Sequence, residues 1–185
     1  MIGAICANDR RRGVWKAPAN LPLAAIVRPV VDIGNAEQDS LNVDPATGKS
    51  INAVREFAGK GTLIWGARTL AGNDNEFRYV PVRRLLGMIE TSLRDGLSGV
   101  VFEPNDDRTW RRAQSSAENF LTGLWRDGAL AGEKSEHAFY VSVGLGRTMT
   151  AQDILEGRLI VEIGVAPVRP AEFIVLRLEF PLLPA

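Results

Sequence analysis

The stretch PVRRLLGMIETSLRDG (residues 81–96), followed shortly by DDRTWRRAQSSAENFLTGLWRDG (residues 106–128), decides the fold. Pro81 sits where a first helical residue would, since its missing N–H would go unpaired there anyway. Val82, Leu85, Leu86, Ile89 and Leu93 then recur at helical spacing, with Arg83, Arg84, Glu90 and Arg94 on the other side. Gly96 stops this helix, and Gly99–Phe102 reads as a short buried strand. Asp106 or Asp107 caps a second helix, whose Trp110, Ala113, Ala117, Phe120, Leu121 and Leu124 form one stripe before Gly128 ends it.

Outward from these helices the chain alternates. Toward the N-terminus, residues 2–11 read as helix ended by Gly13, and Arg12–Asn20 as loop, because Gly13 breaks a helix and Pro18 blocks a ladder. Leu23–Val31 is an apolar run that predicts a strand, with Pro29 near its end. Asn35–Leu41 reads as one or two helical turns and Asn42–Ser50 as a turn. Ile51–Phe57 stays open between helix and strand, and Thr62–Ala67 predicts a buried strand.

Toward the C-terminus, Ala138–Val143 predicts a strand. Thr150 and Asp153 have the spacing of a capping box for a short helix closed by Gly157. Arg158–Ala166 and Glu172–Phe180 predict two more strands, parted by Pro167 and Pro170. Strands alternating with helices predict an α/β fold, a mixed β-sheet flanked by helices with an extended C-terminal strand or arm.

The 185 residues suffice for one domain with a real core. Lys and Arg number 22, as do Asp and Glu, for a net charge of +0. Sequence-independent nucleic-acid binding runs on an excess of positive charge, so this balance argues against it. Near-neutral chains also associate more readily. The lone Cys6 excludes an internal disulfide and a thiolate zinc site. Apolar runs stop well short of the ~18 residues of a membrane span. The charged residues Asp9–Arg12 follow the apolar start instead of preceding it, the wrong order for a signal peptide.

Motifs for chemistry are weak. Gly59-Lys60-Gly61-Thr62 loosely resembles a phosphate loop, but Val54 stands where the first glycine belongs and Gly61 where Ser or Thr must follow Lys. A glycine turn leading into a strand is the better reading. His137 is the sole imidazole, expected at a strand entrance and half exposed, and no serine sits in a nucleophile elbow. Glu103, Asp106 and Asp107 cluster as carboxylates do at a helix N-terminus. The reading is therefore of a non-enzyme without catalytic, cofactor or metal residues. A small α/β enzyme or nucleotide-binding domain is the disfavoured alternative.

Two features suit self-contact. Arg108, Arg111 and Arg112 lie beside Asp106 and Asp107, and Arg111 and Arg112, at i+4 to i+5 from Asp107, could pair within the helix. The sharper reading makes Arg83, Arg84, Arg94, Arg108, Arg111 and Arg112 candidate inter-subunit charges. In the C-terminal segment Ala171, Glu172, Phe173, Ile174, Val175, Leu176, Arg177, Leu178, Glu179 and Phe180, the residues Ile174, Leu176, Leu178 and Phe180 share one face. So apolar a strand is a hazard unless paired. It either completes the chain's own sheet or adds to a neighbour's, where backbone bonds give affinity and alternate side chains give register. Pattern alone supports both equally.

Several blocks resemble the tail sheath proteins of contractile phages: Arg12–Asn20 (RGVWKAPAN), Trp65–Leu70 (WGARTL), Val82–Leu85 with Ile89-Glu90, Phe102–Asp106 (FEPND), Gly128–Leu130, and Ala166–Phe173 (APVRPAEF). Similar sheaths belong to R-type pyocins and extracellular contractile injection systems. The resemblance implies a structural subunit, stacked as rings around an inner tube, whose contraction drives the tube through a target envelope. It implies a core over residues 1–170 and a linking arm over 171–185 that adds to a neighbour's sheet. Implied partners are copies of the chain and of fuller-length sheath subunits, the inner tube protein, and baseplate and terminator or cap proteins. No nucleic acid or membrane insertion is implied. Assembly is expected in the bacterial cytoplasm, and the product is a virion tail or a released contractile particle. Sheath proteins usually carry several hundred residues, so the chain reads as their C-terminal, lattice-forming part. The alternative within the family is a non-polymerising cap, adaptor or binding module.

Overall fold

A computed structural model describes residues 1–72 and 74–170. The segment 171–185, with the expected arm, lies outside the described residues. In chain order the elements are α1 (Ile2–Arg12), β1 (Leu21–Pro22), α2 (Asn35–Asn42), β2 (Ala53–Phe57), β3 (Gly61–Trp65), α3 (Val80–Gly96), a 3₁₀ turn (Ser98–Val100), α4 (Asp107–Arg126), α5 (Ser135–Ala138), β4 (Phe139–Val143), α6 (Ala151–Leu155) and β5 (Val161–Val165).

The principal core grows from the two periodic helices. Leu85 and Ile89 of α3 meet Leu121 and Leu124 of α4, and Ala129, Leu130 and Ala138 close the cluster. Leu85, Leu121, Ala113 and Ala117 are wholly buried, as the apolar stripes require. Phe139 and Val141 of β4, with Ile163 and Val165 of β5, pack against the same cluster. A smaller core holds Leu21, Leu23 and Ile64, with Ala4 and Ile5 of α1 against it.

The α/β character is as expected, with the strands divided between two small antiparallel sheets. One has the order β1-β3-β2, the other pairs β4 with β5. In the first, β2 and β3 form a hairpin in register Ala53↔Trp65 to Phe57↔Gly61. Gly59 and Gly61, at φ 73° and 72°, supply the left-handed backbone of its turn. The phosphate-loop lookalike is thus a hairpin turn. Ile51–Phe57, open on sequence, is extended because its partner strand is adjacent.

Helix ends follow the sequence. Asp106 is the cap of α4, its carboxylate accepting from the backbone N–H of Arg108 and Thr109. Thr150 and Asp153 form the reciprocal capping box of α6. Asp9 of α1 receives both terminal nitrogens of Arg84 on α3, at 2.9 and 2.6 Å.

Two expected strands are absent. Of the run Leu23–Val31, only Leu23 still pairs, donating to the carbonyl of Thr62 at 2.9 Å. A turn at Ala24-Ala25 then leads the chain off the sheet, and Pro29 has no N–H with which to rejoin it. Val27 and Val30 emerge 96% and 103% exposed. Gly99–Phe102 is likewise neither strand nor buried. Leu97, Val100 and Val101 donate back to Leu93, Leu97 and Ser98, so the short α3–α4 reversal satisfies its own backbone. The remaining strands are shorter than expected. Ala138 ends α5 before β4 begins at Phe139, and β5 starts at Val161, not Arg158.

Candidate functional site

The β4–β5 sheet sits on the principal core by one face only. Pairing runs from Phe139↔Val165 to Val143↔Val161, so strand alternation sends Phe139, Val141, Ile163 and Val165 inward and Tyr140, Ser142, Glu162 and Gly164 outward. On the outer face the Tyr140 ring lies across Gly164, in van der Waals conflict with any Cβ placed there. The Tyr140 hydroxyl donates to Glu162 Oε1 at 2.8 Å. That bond, and the carboxylate's charge, push the phenol's pKa up.

The connection between the two strands is braced internally. Gly144 N–H donates to Thr148 Oγ1, and the Thr148 hydroxyl donates to the Ile160 carbonyl at 2.7 Å. Arg158 bridges Asp153 and Glu156. After β5, Ala131 N–H donates to the Ala166 carbonyl and Val168 N–H to that of Ala129. This leads the chain across the core to Pro170.

The sheet's edges are the notable feature. Among the described residues, no backbone hydrogen bond from outside the β4–β5 ladder reaches 140–143 or 161–165. A two-stranded ribbon is marginal alone, and an unpaired edge is a template for another strand. The residues expected to form an added strand, 171–180, begin just past Pro170 and lie outside the described residues.

The six candidate interface arginines are spread over α3 and α4. Arg84 is paired with Asp9, Arg94 with Glu90 at 2.9 Å, and Arg111 with Asp107 at 3.0 Å. Arg112 reaches Glu103 at 3.4 Å, outside its helix, instead of Asp107. The Arg83 guanidinium stands 5.1 Å from the Phe77 ring centre. Arg108 forms no ion pair among the described residues and contributes, after the backbone bonds, to lowering the Asp106 pKa. Glu103, Asp106 and Asp107 are accounted for by capping and by pairing with arginine. His137 lies on α5, exposed, two residues before β4 begins.

Sequence reasoning missed the Tyr140–Gly164–Glu162 arrangement. A glycine inside the strand Val161–Val165 was its signal, since strand glycines mark close approach. Among the described residues no group of three His, Cys, Asp or Glu could hold a metal ion, and no helix is long and apolar enough to cross a membrane.

Comparison with known proteins agrees with this architecture. A family model described as the phage tail sheath C-terminal domain matches residues 72–181. The tail sheath protein of Vibrio phage KVP40 is 28% identical over 127 residues, covering 66% of this chain and 18% of its own length. A chain of the PVC sheath complex, an extracellular contractile injection system solved in the contracted state, superposes with a TM-score of 0.90 at 44% identity. That match covers 96% of this chain and 49% of the other. A chain of the anti-feeding prophage (AFP) baseplate, 6-fold symmetrised, gives 0.89 at 43% identity over 97% of this chain and 49% of its own. The chain thus spans about half the length of these solved chains. With more than half of its residues under the family model and its fold superposing on a contractile sheath chain, the chain belongs to the phage tail sheath family.

Proposed function

We propose that the chain is a structural, non-catalytic subunit of a contractile sheath, surrounding an inner tube and driving it through a target envelope on contraction. Residues 171–180 act as the linking arm, adding as a strand to the β4–β5 sheet of a neighbouring copy. The single observation that carries this is the two-stranded sheet, seated on the core by its apolar face, with open edges among the described residues. Strand addition supplies what such a ribbon lacks: more backbone bonds and a fixed register.

A joint of this kind suits a lattice that changes shape. Backbone pairing stays engaged while subunits turn about the Pro167–Pro170 connection, much as rigid bodies joined by a hinge. The surface ion pairs of α3 and α4 are exposed and individually weak, so they can exchange partners as the subunits slide. Partners on this reading are copies of the chain or of fuller-length sheath subunits, the inner tube protein, and baseplate and terminator or cap proteins. Assembly takes place in the bacterial cytoplasm. The particle is a phage tail or a released contractile device.

A second reading, that the chain serves at the baseplate as an adaptor, is favoured by the matches to chains in AFP baseplate structures. Electron microscopy of the purified chain separates the two. Tubes or stacked rings support the sheath subunit, whereas a strictly monomeric protein that binds only baseplate components supports the adaptor.

A further inference from the structure

Three cations without an acidic partner meet where the described chain leaves the core. Arg12 closes α1, Lys16 follows in the next loop, and Arg169 immediately precedes Pro170. All three line one recess of about 340 Å³, together with Val168, Pro170 and Asp127. Among the described residues none of the three forms an ion pair. Asp127 forms none either, so the recess carries three positive charges against one negative.

The backbone around these cations is fixed. Lys16 N–H donates to the Gly13 carbonyl, and the Lys16 carbonyl accepts from the Asn8 side chain, both at 3.2 Å. Asn8 is 2% exposed, so this anchor lies in the interior. The Trp15 ring lies on Gly13, whose φ of 82° favours glycine. On the opposite wall Val168 N–H donates to the Ala129 carbonyl. Arg12 also answers the C-terminal dipole of α1, but Lys16 and Arg169 stand on loops and answer no charge in the described chain.

A carboxylate is the group that such a recess takes, and the sequence brings one to it. Pro170 lines the recess, and Glu172 stands two residues beyond. Two residues of extended chain span at most about 7 Å, which leaves the recess within reach of a glutamate side chain. Alternate residues of an extended chain share a side, so Glu172 follows Val168 and Pro170 on the side that faces the recess.

We propose that the Glu172 carboxylate seats among Arg12, Lys16 and Arg169 of its own chain, latching the root of the C-terminal segment to the core. This goes beyond the strand addition argued above, since it holds whether or not the rest of the arm pairs with a neighbour. Ion pairs that reach solvent are weak. The latch can therefore open when subunits turn about the Pro167–Pro170 connection.

The test treats an equal mixture of ¹⁴N- and ¹⁵N-labelled full chains, kept dilute, with a water-soluble carbodiimide, which joins a carboxylate to an amine in contact with it. Mass spectrometry of the digest should find Lys16 joined to Glu172 in peptides of like isotope only. Lys134 and Glu136, 3.8 Å apart, supply the product expected of any close pair. Glu172→Gln should abolish the Lys16 product. Arg12→Gln with Arg169→Gln should lower its yield roughly threefold or more, the scale of weak exposed pairs, although Lys16 itself is unchanged. A Lys134–Glu136 product without any Lys16–Glu172 product would overturn the latch, as would Lys16 joined to Asp127 alone. Lys16–Glu172 peptides of mixed isotopes in equal share would overturn it in favour of a seat for the neighbour's arm. The dilute chain needs no assembly here, so failure of the latch leaves the sheath reading standing, and failure to assemble leaves the latch standing.

Discussion

The ring of Tyr140 lies across Gly164, and its hydroxyl is bound to Glu162 on the same strand as that glycine. One side chain on β4 thus grips β5 over the outer face of the sheet, a cross-strand contact that fixes register. Gly164→Ala puts a methyl group where the ring lies, so the ring must swing away and release Glu162. The phenol then titrates nearer its ordinary value. Ultraviolet absorbance titration of the Gly164→Ala protein, with a Tyr140→Phe control to identify the signal, should show this fall.

The same bond makes the fold sensitive to alkali. The phenol's pKa is raised in the folded state, so its contribution is complete below the unfolded value, about pH 10, and is lost as pH rises through the folded one. Tyr140→Phe should therefore flatten the alkaline limb of a stability–pH profile measured by thermal melting.

At the acid end Asp106 works in the opposite sense. The backbone N–H of Thr109 is the main group holding its carboxyl below the ordinary range, so its contribution is present above that range and lost as pH falls through the folded pKa. Asp106→Asn keeps an accepting oxygen but cannot titrate, and should remove part of the acid sensitivity while retaining stability at neutral pH. Asp106→Ala should lose stability at neutral pH as well. Urea titrations at pH 3 and pH 7 separate these outcomes.

Asp9→Asn should cost roughly 1 kcal/mol, the scale of a partly exposed charge-assisted pair. It leaves Arg84 with one neutral acceptor and loosens α1 from α3. The loss should shrink in high salt, because both side chains reach solvent. Urea unfolding at low and high ionic strength measures it.

Phe102→Gly should stabilise the isolated chain by up to about 1 kcal/mol, since glycine adopts a positive φ without strain. Calorimetry of the dilute protein should show a higher melting temperature.

How far the sequence could be read follows from what each residue's job is. The helices Val80–Gly96 and Asp107–Arg126 were legible because their apolar stripes serve the chain's own core, and the Asp106 and Thr150 caps because capping is local. Leu23–Val31 and Gly99–Phe102 misled for one shared reason. Their apolar residues suggested burial, yet all but Leu23 fall in turns and loops that the tertiary fold leaves largely at the surface. Tyr140 over Gly164 was hidden because it joins two strands that only the tertiary fold brings together. Of the site, the sequence pointed to the arm and its apolar face, but not to the open β4–β5 sheet that could receive it. Family resemblance favoured an arm where strand pattern alone left two choices.

The most direct test of the central claim replaces Val175 in the arm with a photoreactive phenylalanine analogue and assembles an equal mixture of ¹⁴N- and ¹⁵N-labelled copies. After illumination, cross-linked peptides are read by mass spectrometry. If the arm adds to a neighbour, peptides from 139–143 or 161–165 should be joined to the arm with mixed isotopes as well as like ones. Cross-links to those strands carrying only like isotopes would show the arm folded back on its own sheet, and would contradict the account.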